Sequence, residues 1–203
     1  MVMNRIEDFI KIYNDVLDSD YCDELIKYID NGNPKFIDHE QKPKFHELVL
    51  QPHKVQECID ILNPYLDRYV ENVGCDLWFP LKYTYEYARV KKYRKGTDDQ
   101  FGPHVDVGNH DTSKRFLAFL VYLNDVEEGG ETAFTDLGIS VKPKKGRALI
   151  WPSVLNEDAD TSDLRTYHEA KAVVKGKKFA ANHWIHQYDF RNANLWGCSG
   201  SFG

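Results

Sequence analysis

The sequence has no long apolar run, few cysteines and no excess of basic residues. No stretch approaches the ~20 consecutive apolar residues that a membrane-spanning helix needs, so a membrane protein is not expected. The four cysteines are widely spaced and form no CxxC pair: Cys22, Cys58, Cys75 and Cys198. This spacing argues against a disulfide framework and against a thiolate-rich zinc site. With no secretory segment at the start, we expect free thiols and a cytoplasmic protein.

The charge balance is acidic, with 32 Asp and Glu against 26 Lys and Arg and a net charge of −6. A general nucleic-acid binder normally carries a basic surface, so nucleic acid is not an expected partner. The 203 residues, 42% of them hydrophobic, suffice for a domain with a substantial core. We therefore predict a single domain over residues 1–203.

Two helices are predicted within the first 80 residues. The first is "DSDYCDELIKYIDNG", which Asp18 or Ser19 can cap. The second is "KVQECIDILNPYLDRYVENVG", in which Pro64 should kink or split the helix because proline removes a backbone donor. The segment "FIKIYNDVL" predicts a strand, whereas residues 36–50 show no clear period. Residues 1–80 are thus predicted to be mainly helical support.

Short strands are predicted from residue 81 onward. "LKYTYEYARVKKY" alternates aromatic and polar residues with a period of two, and "RFLAFLVYLND" has the apolar character of a strand covered on both faces. The segments "ISVKP", "RALIWP", "AKAVVKG" and "KKFAANHWIHQYDF" continue the series. Helices followed by many strands predict an α+β domain, with a two-sheet sandwich or barrel as the core over residues 81–190.

The stretch "FGPHVDVGNHD" contains a candidate pair of metal ligands. On a strand, residues i and i+2 point to the same face, so His104 and Asp106 would project together. A third ligand is needed, and the remaining histidines are His39, His46, His53, His110, His168, His183 and His186. Among these, His168 begins a new strand after a long polar loop. Two histidines and one carboxylate are the usual ligands of non-heme Fe(II) oxygenases.

An oxygenase of this kind also needs an electron source, which a 2-oxo acid bound to the metal could supply. The far carboxylate of such an acid would need a cation inside the domain. Lys178 follows His168 by ten residues, across the turn at "VKGKK", so we expect the two on adjacent strands. A buried lysine is costly unless it is paired, which favours an anionic ligand beside Lys178.

Several segments, in order along the chain, resemble the prolyl 4-hydroxylase family of Fe(II)/2-oxoglutarate dioxygenases. They are "NDVLDSDYCDELI", "HVD", "LNDVEEGGETAF", "DLRTYH", Lys178 and "NHWIH". The resemblance extends from about residue 10 to residue 190. It implies a double-stranded β-helix core, that is, a jelly-roll or cupin-like fold, with the N-terminal helices packed on the major sheet.

The resemblance also implies roles for individual residues. His104, Asp106 and His168 match the iron ligands, and Lys178 matches the residue that binds the C5 carboxylate of 2-oxoglutarate. These four residues are the expected catalytic set.

Five further residues match positions around the pocket. Tyr93 matches a tyrosine that assists the same carboxylate, and Tyr122 and Thr132 match positions that line the co-substrate pocket. Arg115 and Trp184 match positions near the substrate.

The implied reaction is hydroxylation of an unactivated C–H bond. It would use Fe(II) as the metal cofactor, consume 2-oxoglutarate and O₂, and release succinate and CO₂. The expected substrate is a prolyl residue of a peptide or protein, converted to 4-hydroxyproline, with ascorbate (vitamin C) as a further cofactor. The sequence departs from the family in a longer segment between Tyr93 and His104, and in "HEAKAV", where relatives carry a Gly and a Pro. Proline specificity is therefore an open question.

Three alternatives remain. The first is the same chemistry on a free amino acid, another small molecule or another side chain. The second is demethylation of alkylated nucleic acid, which the acidic charge and Lys178, where those enzymes use arginine, both disfavour. The third is a non-catalytic, cupin-like metal-binding module.

Overall fold

A computed structural model describes residues 5–39, 43–75, 79–108, 112–153 and 164–187. Cys198, His110 and the whole acidic segment "NEDADTSD" (residues 156–163) lie outside these residues. Two α-helices are described, α1 (Ser19–Asn31) and α2 (Pro52–Val73). The described strands are β1 (Lys11–Tyr13), β2 (Lys35–Asp38), β3 (Pro43–Val49), β4 (Tyr83–Tyr85), β5 (Arg89–Tyr93), β6 (Gln100–His104), β7 (Arg115–Tyr122), β8 (Glu128–Gly129), β9 (Thr132–Phe134), β10 (Ile139–Val141), β11 (Ala148–Pro152), β12 (His168–Ala170), β13 (Val173–Lys175) and β14 (Lys178–Gln187).

The strands form one curled antiparallel sheet and a small second one. Twelve strands follow the order β1-β11-β7-β14-β5-β3-β6-β12-β9-β10, with β2 added beside β3 and β4 beside β14. Strands β8 and β13 pair separately. Because β3 pairs with both β5 and β6, it links a major layer around β7 and β14 to a minor layer around β12 and β9. The predicted double-stranded β-helix is confirmed.

Strand β7 shows how the core is divided between the two faces of the major layer. Leu117, Phe119 and Val121 pack toward the two helices. The alternate residues Leu120 and Tyr122 pack toward the minor layer. An apolar residue is therefore needed at nearly every position, as the run "RFLAFLVY" predicts.

Helix α1 begins as predicted, because the Asp18 side chain accepts a hydrogen bond from the Tyr21 backbone N–H at 2.7 Å. Helix α2 differs from its prediction, since it continues through Pro64 as one helix. Leu62 and Leu66, on either side of the proline, are both buried in the core against the sheet. This packing holds the two halves together despite the missing backbone donor.

Three other expectations about the strands need correction. "LKYTYEYARVKKY" is two strands, β4 and β5, each paired with β14. The segment without a clear period contains β2 and β3, which pair with each other antiparallel. The strand predicted over "FIKIYNDVL" is only three residues long, Lys11–Tyr13. The first 80 residues therefore contribute strands as well as helices to the fold.

Two expectations from composition can be compared with the described residues. Cys22, Cys58 and Cys75 are buried, and Cys22 and Cys58 are free thiols. No helix among the described segments has the length and apolar character needed to cross a membrane.

The backbone at Gly129 and Gly130 lies close to the neighbouring strand of the small sheet. Both residues have positive φ, and a Cβ on Gly129 would lie 2.4 Å from the backbone oxygen of Ala172. Gly138 also has positive φ but has open space around it. We expect Gly129→Ala to lower the free energy of unfolding by about 3 kcal/mol, since a backbone clash adds to the strain of a left-handed residue. Gly138→Ala, with strain alone, should cost about 1 kcal/mol.

Urea unfolding of the two variants and the wild type measures both values. Equal losses for the two variants would contradict the close approach at Gly129.

Candidate metal centre

Two imidazoles face each other where strand β6 pairs with strand β12. His168 lies directly opposite His104 in the register of this pair, and their ring centroids are 4.3 Å apart. Asp106 follows two residues after His104 and projects to the same side. One ligand atom from each of the three residues lies within 4.8 Å of the others. The structure thus brings the three predicted ligands together.

Backbone carbonyls fix the orientation of both imidazoles. The Nδ1 of His104 lies 2.8 Å from the Gly102 oxygen, and the Nδ1 of His168 lies 2.8 Å from the Thr166 oxygen. A carbonyl only accepts, so each Nδ1 carries the proton and each Nε2 presents its lone pair to the centre.

A register shift between β12 and β6 gives His104 a stacking partner. In a regular strand, residues three apart point to opposite faces, but an extra residue brings them to one face. The Phe101 ring stacks on the His104 ring, with centroids 3.6 Å apart and an 11° angle between planes. The imidazole is therefore held by a ring contact as well as by its hydrogen bond.

The protonation states suit a metal site. Burial lowers the pKa of His104 to about 3, so its imidazole is neutral. Burial alone would raise the pKa of Asp106, but His168, His104 and Arg115 outweigh burial and hold it below its ordinary value.

A hydrogen bond orients the Asp106 carboxylate, because the Trp151 indole N–H donates to Oδ2 at 3.0 Å. Two imidazoles and one carboxylate are a donor set that fits Fe(II) and leaves positions open toward the cavity.

The cavity beside these three residues contains a buried lysine. Lys178 is only 1% exposed, and its ammonium lies 4.9 Å from the ring centroid of Tyr93 and 5.6 Å from that of Tyr122. No carboxylate of the described residues forms an ion pair with it. Burial, with the nearby Lys91, lowers the pKa of Lys178 to about 7. An anion in the cavity would satisfy this cation.

Three residues predicted around Lys178 lie where they were expected. Tyr93 is opposite Lys178 in the β5–β14 pair. The Tyr122 hydroxyl donates to the Thr132 hydroxyl at 2.7 Å, and Thr132 lines the cavity. The expected adjacency of the strands that carry His168 and Lys178 is wrong, however. Strand β14 pairs with β5, β7 and β4, whereas β12 pairs with β6 and β9, so the two residues face each other across the interior.

Arg115 and Trp184 lie on the outer side of the metal ligands, in a groove of about 370 Å³. The Arg115 guanidinium stacks on the Trp184 ring at 4.0 Å. It also makes two hydrogen bonds to Glu86, at 2.8 and 2.9 Å, and donates to the Asp106 backbone oxygen. Burial alone would raise the pKa of Glu86, but His186 and Arg115 hold it far below its ordinary value. Arg115 is therefore held firmly beside the metal ligands.

Four residues of the site were missed in the sequence: Lys91, Phe101, Trp151 and Glu86. Lys91 carried a usable signal, because the alternation in "ARVKKY" places it on the same face as Tyr93. Phe101 depends on the register shift, and Trp151 reaches Asp106 from a strand remote in sequence, so neither had a local signal.

Comparisons with known proteins agree with this geometry. The sequence profile of the 2OG-Fe(II) oxygenase superfamily matches residues 88–186. Prolyl 4-hydroxylase subunit alpha-1 of Gallus gallus is 35% identical over a 113-residue alignment. This alignment covers 51% of this chain. The match spans only about a fifth of that relative, 21% of its length.

Solved structures share the fold over most of the chain. The 2OG complex of a viral collagen prolyl hydroxylase from Paramecium Bursaria Chlorella virus-1 is similar with a TM-score of 0.70 and 24% identity, over 89% of this chain and 97% of that one. A prolyl hydroxylase from Trichoplax adhaerens, in complex with a hypoxia inducible factor peptide fragment, has a TM-score of 0.66 and 18% identity. It covers 93% of this chain and 87% of that one.

The three converging ligands predict a divalent-cation site. We expect Asp106→Asn and His168→Ala each to weaken Fe(II) binding by about 100-fold or more, since each removes one of three protein ligands. Anaerobic isothermal titration calorimetry measures the affinity. His53→Ala is the matched control, because His53 is exposed in the first turn of α2. Unchanged Fe(II) affinity in Asp106→Asn or His168→Ala would remove that residue from the site.

Proposed function

We propose that this chain, whose residues 88–186 match the 2OG-Fe(II) oxygenase superfamily, is an Fe(II)- and 2-oxoglutarate-dependent dioxygenase that hydroxylates an unactivated C–H bond. The observation that carries this proposal is the pair of sites on one cavity. A two-histidine, one-carboxylate cluster lies on one wall, and an unpaired buried lysine lies on another. A cupin-like module that only stored a metal would have no use for the lysine.

The proposed roles follow from the contacts. His104, Asp106 and His168 would hold Fe(II) from one side. A bound iron would supply the activation of O₂, with one oxygen atom going to the succinate formed from 2-oxoglutarate by loss of CO₂ and the other to the substrate C–H bond. Trp151 keeps the Asp106 carboxylate in one orientation. Phe101 covers the outer face of His104 and limits the approach of water.

The co-substrate would extend from the metal toward the closed end of the cavity. There Lys178 would bind its C5 carboxylate, and Tyr93, whose ring centroid lies 4.9 Å from the Lys178 ammonium, lines the same cavity. The hydroxyl groups of Thr132 and Tyr122, which are hydrogen-bonded to each other, form a polar surface beside the Lys178 side chain. A charge-assisted contact of this kind contributes about 1.5–3 kcal/mol. Ascorbate is an expectation that can be tested by adding it to the assay.

The proposed substrate is a prolyl residue of a peptide or protein, converted to 4-hydroxyproline. The Gallus gallus relative is named as a prolyl 4-hydroxylase subunit, and the Trichoplax adhaerens structure holds a peptide fragment. In this chain the outer groove beside Arg115 and Trp184 is more open than the co-substrate cavity. An open groove suits a peptide, and a small molecule is the alternative that a product assay distinguishes.

A cytoplasmic location is part of the proposal. The free thiols of Cys22 and Cys58 support it, because structural disulfides are rare in the reducing cytosol.

Succinate release tests the reaction class and the role of Lys178 together. Purified protein with Fe(II), 2-oxoglutarate and proline-containing peptides should release succinate. Hydroxyproline should form in the peptide in the same amount. We expect Lys178→Ala to raise the KM for 2-oxoglutarate by about 10- to 150-fold, from the loss of the charge-assisted contact. Lys177→Ala is the control, since Lys177 is the exposed neighbour. No metal-dependent succinate from the wild type would contradict the proposed function.

The buried position of Lys178 also predicts a pH effect on binding. Its pKa is about 7 in the ligand-free protein, and a bound carboxylate favours the charged form and raises that pKa. Binding at pH 8 should therefore take up a proton. The affinity for N-oxalylglycine, an analogue that is not decarboxylated, should fall with rising pH above about 7, by up to about tenfold per pH unit.

Calorimetry at pH 8 in phosphate and in Tris measures the proton uptake, because the two buffers have different ionisation enthalpies. Equal binding heats in both buffers, or a Lys178→Met variant with the same uptake, would contradict this assignment.

A further inference from the structure

A second buried lysine, Lys91, lies near the proposed metal site and has no role in the function proposed above. It is 3% exposed and lies in the middle of β5, two residues before Tyr93. Because alternate residues of a strand share a face, Lys91 points into the interior together with Tyr93. It lines both the inner cavity with Lys178 and the outer groove with Arg115.

The Lys91 ammonium is surrounded by aromatic rings. It lies 4.8 Å from the Phe45 ring centroid, 5.1 Å from that of Phe101 and 5.4 Å from that of Trp184. Among the described residues, no carboxylate lies within ion-pair distance of its Nζ and no group forms a hydrogen bond with it. Burial lowers the pKa of Lys91 to about 8, so it is still mainly a cation at pH 7.

The neighbouring charged residues already have partners. Glu47 is opposite Lys91 in the β3–β5 register, but its carboxylate lies 3.7 Å from the Arg89 guanidinium. Glu86 binds Arg115 and Arg89 together. Ring contacts contribute to holding a cation but do not replace the solvation that burial removes. Lys91 is therefore a buried positive charge whose counter-ion must come from outside the described chain.

The co-substrate leaves this charge unmatched. The proposed C5 carboxylate site is at Lys178, which pairs with Tyr93 at the closed end of the cavity. Lys91 lies two residues further along β5 toward the outer groove, about 7 Å along the strand. It also stands against Phe101, the residue that stacks on His104. An anion bound there would be held at the boundary between the metal ligands and the groove where the substrate enters.

From this geometry we propose that Lys91 determines substrate specificity by binding a carboxylate of the substrate next to the carbon that is hydroxylated. The proposal rests on the proposed dioxygenase function and narrows its substrate to an acid. The carboxylate could belong to a free amino acid or to an acidic side chain beside the reacting residue of a peptide. The chemistry of recognition is the same in both cases.

Paired acid and amide probes test this proposal. One pair is free L-proline and L-prolinamide. The other is a blocked pentapeptide with Glu next to its proline and the same peptide with Gln. Binding is measured by calorimetry at pH 7 on protein loaded with Mn(II) and N-oxalylglycine, so that no turnover is required.

The variants are Lys91→Met, which keeps the length without the charge, and Lys91→Arg, which keeps the charge. Lys92→Met is the matched control, because Lys92 lies on the same strand but forms an ion pair with Asp30 at the surface. Since an unpaired buried cation destabilises the fold, Lys91→Met should unfold at the same temperature as the wild type or higher. That result also shows that the variant is folded.

In the wild type, we expect the acid of at least one pair to bind tenfold or more tightly than its amide, which corresponds to about 1.4 kcal/mol at 25 °C. The pair that shows the preference identifies the source of the carboxylate. Lys91→Met should abolish the preference, while Lys91→Arg should retain part of it and Lys92→Met all of it.

Three results would overturn the proposal. The first is equal affinity for acid and amide in both pairs, and the second is a preference for the acid that persists in Lys91→Met. The third is a Lys91→Met variant in which N-oxalylglycine binds more weakly while the acid probe binds as it does in the wild type. Failure of the dioxygenase function is a separate result, namely wild-type protein that releases no metal-dependent succinate from 2-oxoglutarate.

Discussion

The pairing of strand β6 with strand β12 sets the geometry on which the rest of the site depends. Its register puts His168 opposite His104, and the alternation of the strand adds Asp106 on the same side. A slip of one residue would turn each side chain to the other face of the sheet and separate the three ligands. The irregularity within this pair also brings Phe101 onto the His104 ring. The two backbone carbonyls that accept from the imidazoles then leave each Nε2 directed inward.

The interior beside this pair is unusual in its charge. Lys178 and Lys91 are both buried, and neither has an ion-pair partner among the residues that the structure describes. Arg115, in contrast, forms an ion pair with Glu86, and Arg89 forms ion pairs with Glu86 and Glu47. Buried unpaired cations lower the stability of the fold, so we infer that the two lysines are kept because they bind ligands. Two anions, one from the co-substrate and one from the substrate, account for both lysines.

Much of the fold could be predicted from the sequence, because strong periodicity and capping residues act locally. Asp18 caps α1, and the apolar run of β7 is covered on both faces. The metal cluster and Lys178 were predicted from short segments whose residue types suit one chemistry. What failed depended on contacts between distant segments. Pro64 stays within a continuous helix because packing holds both halves, and β2 and β3, in the segment without a clear period, are β-structure because they pair with each other. The strands of His168 and Lys178 face each other across the interior, which no local pattern reveals.

A crystal structure of the protein with Mn(II) and a 2-oxoglutarate analogue measures the central geometry directly. We expect one anomalous metal peak about 2.0–2.2 Å from the Nε2 atoms of His104 and His168 and from a carboxylate oxygen of Asp106. We also expect the far carboxylate of the analogue to contact the Lys178 ammonium. A metal bound elsewhere, or an analogue whose far carboxylate points away from Lys178, would contradict the proposed metal and co-substrate sites.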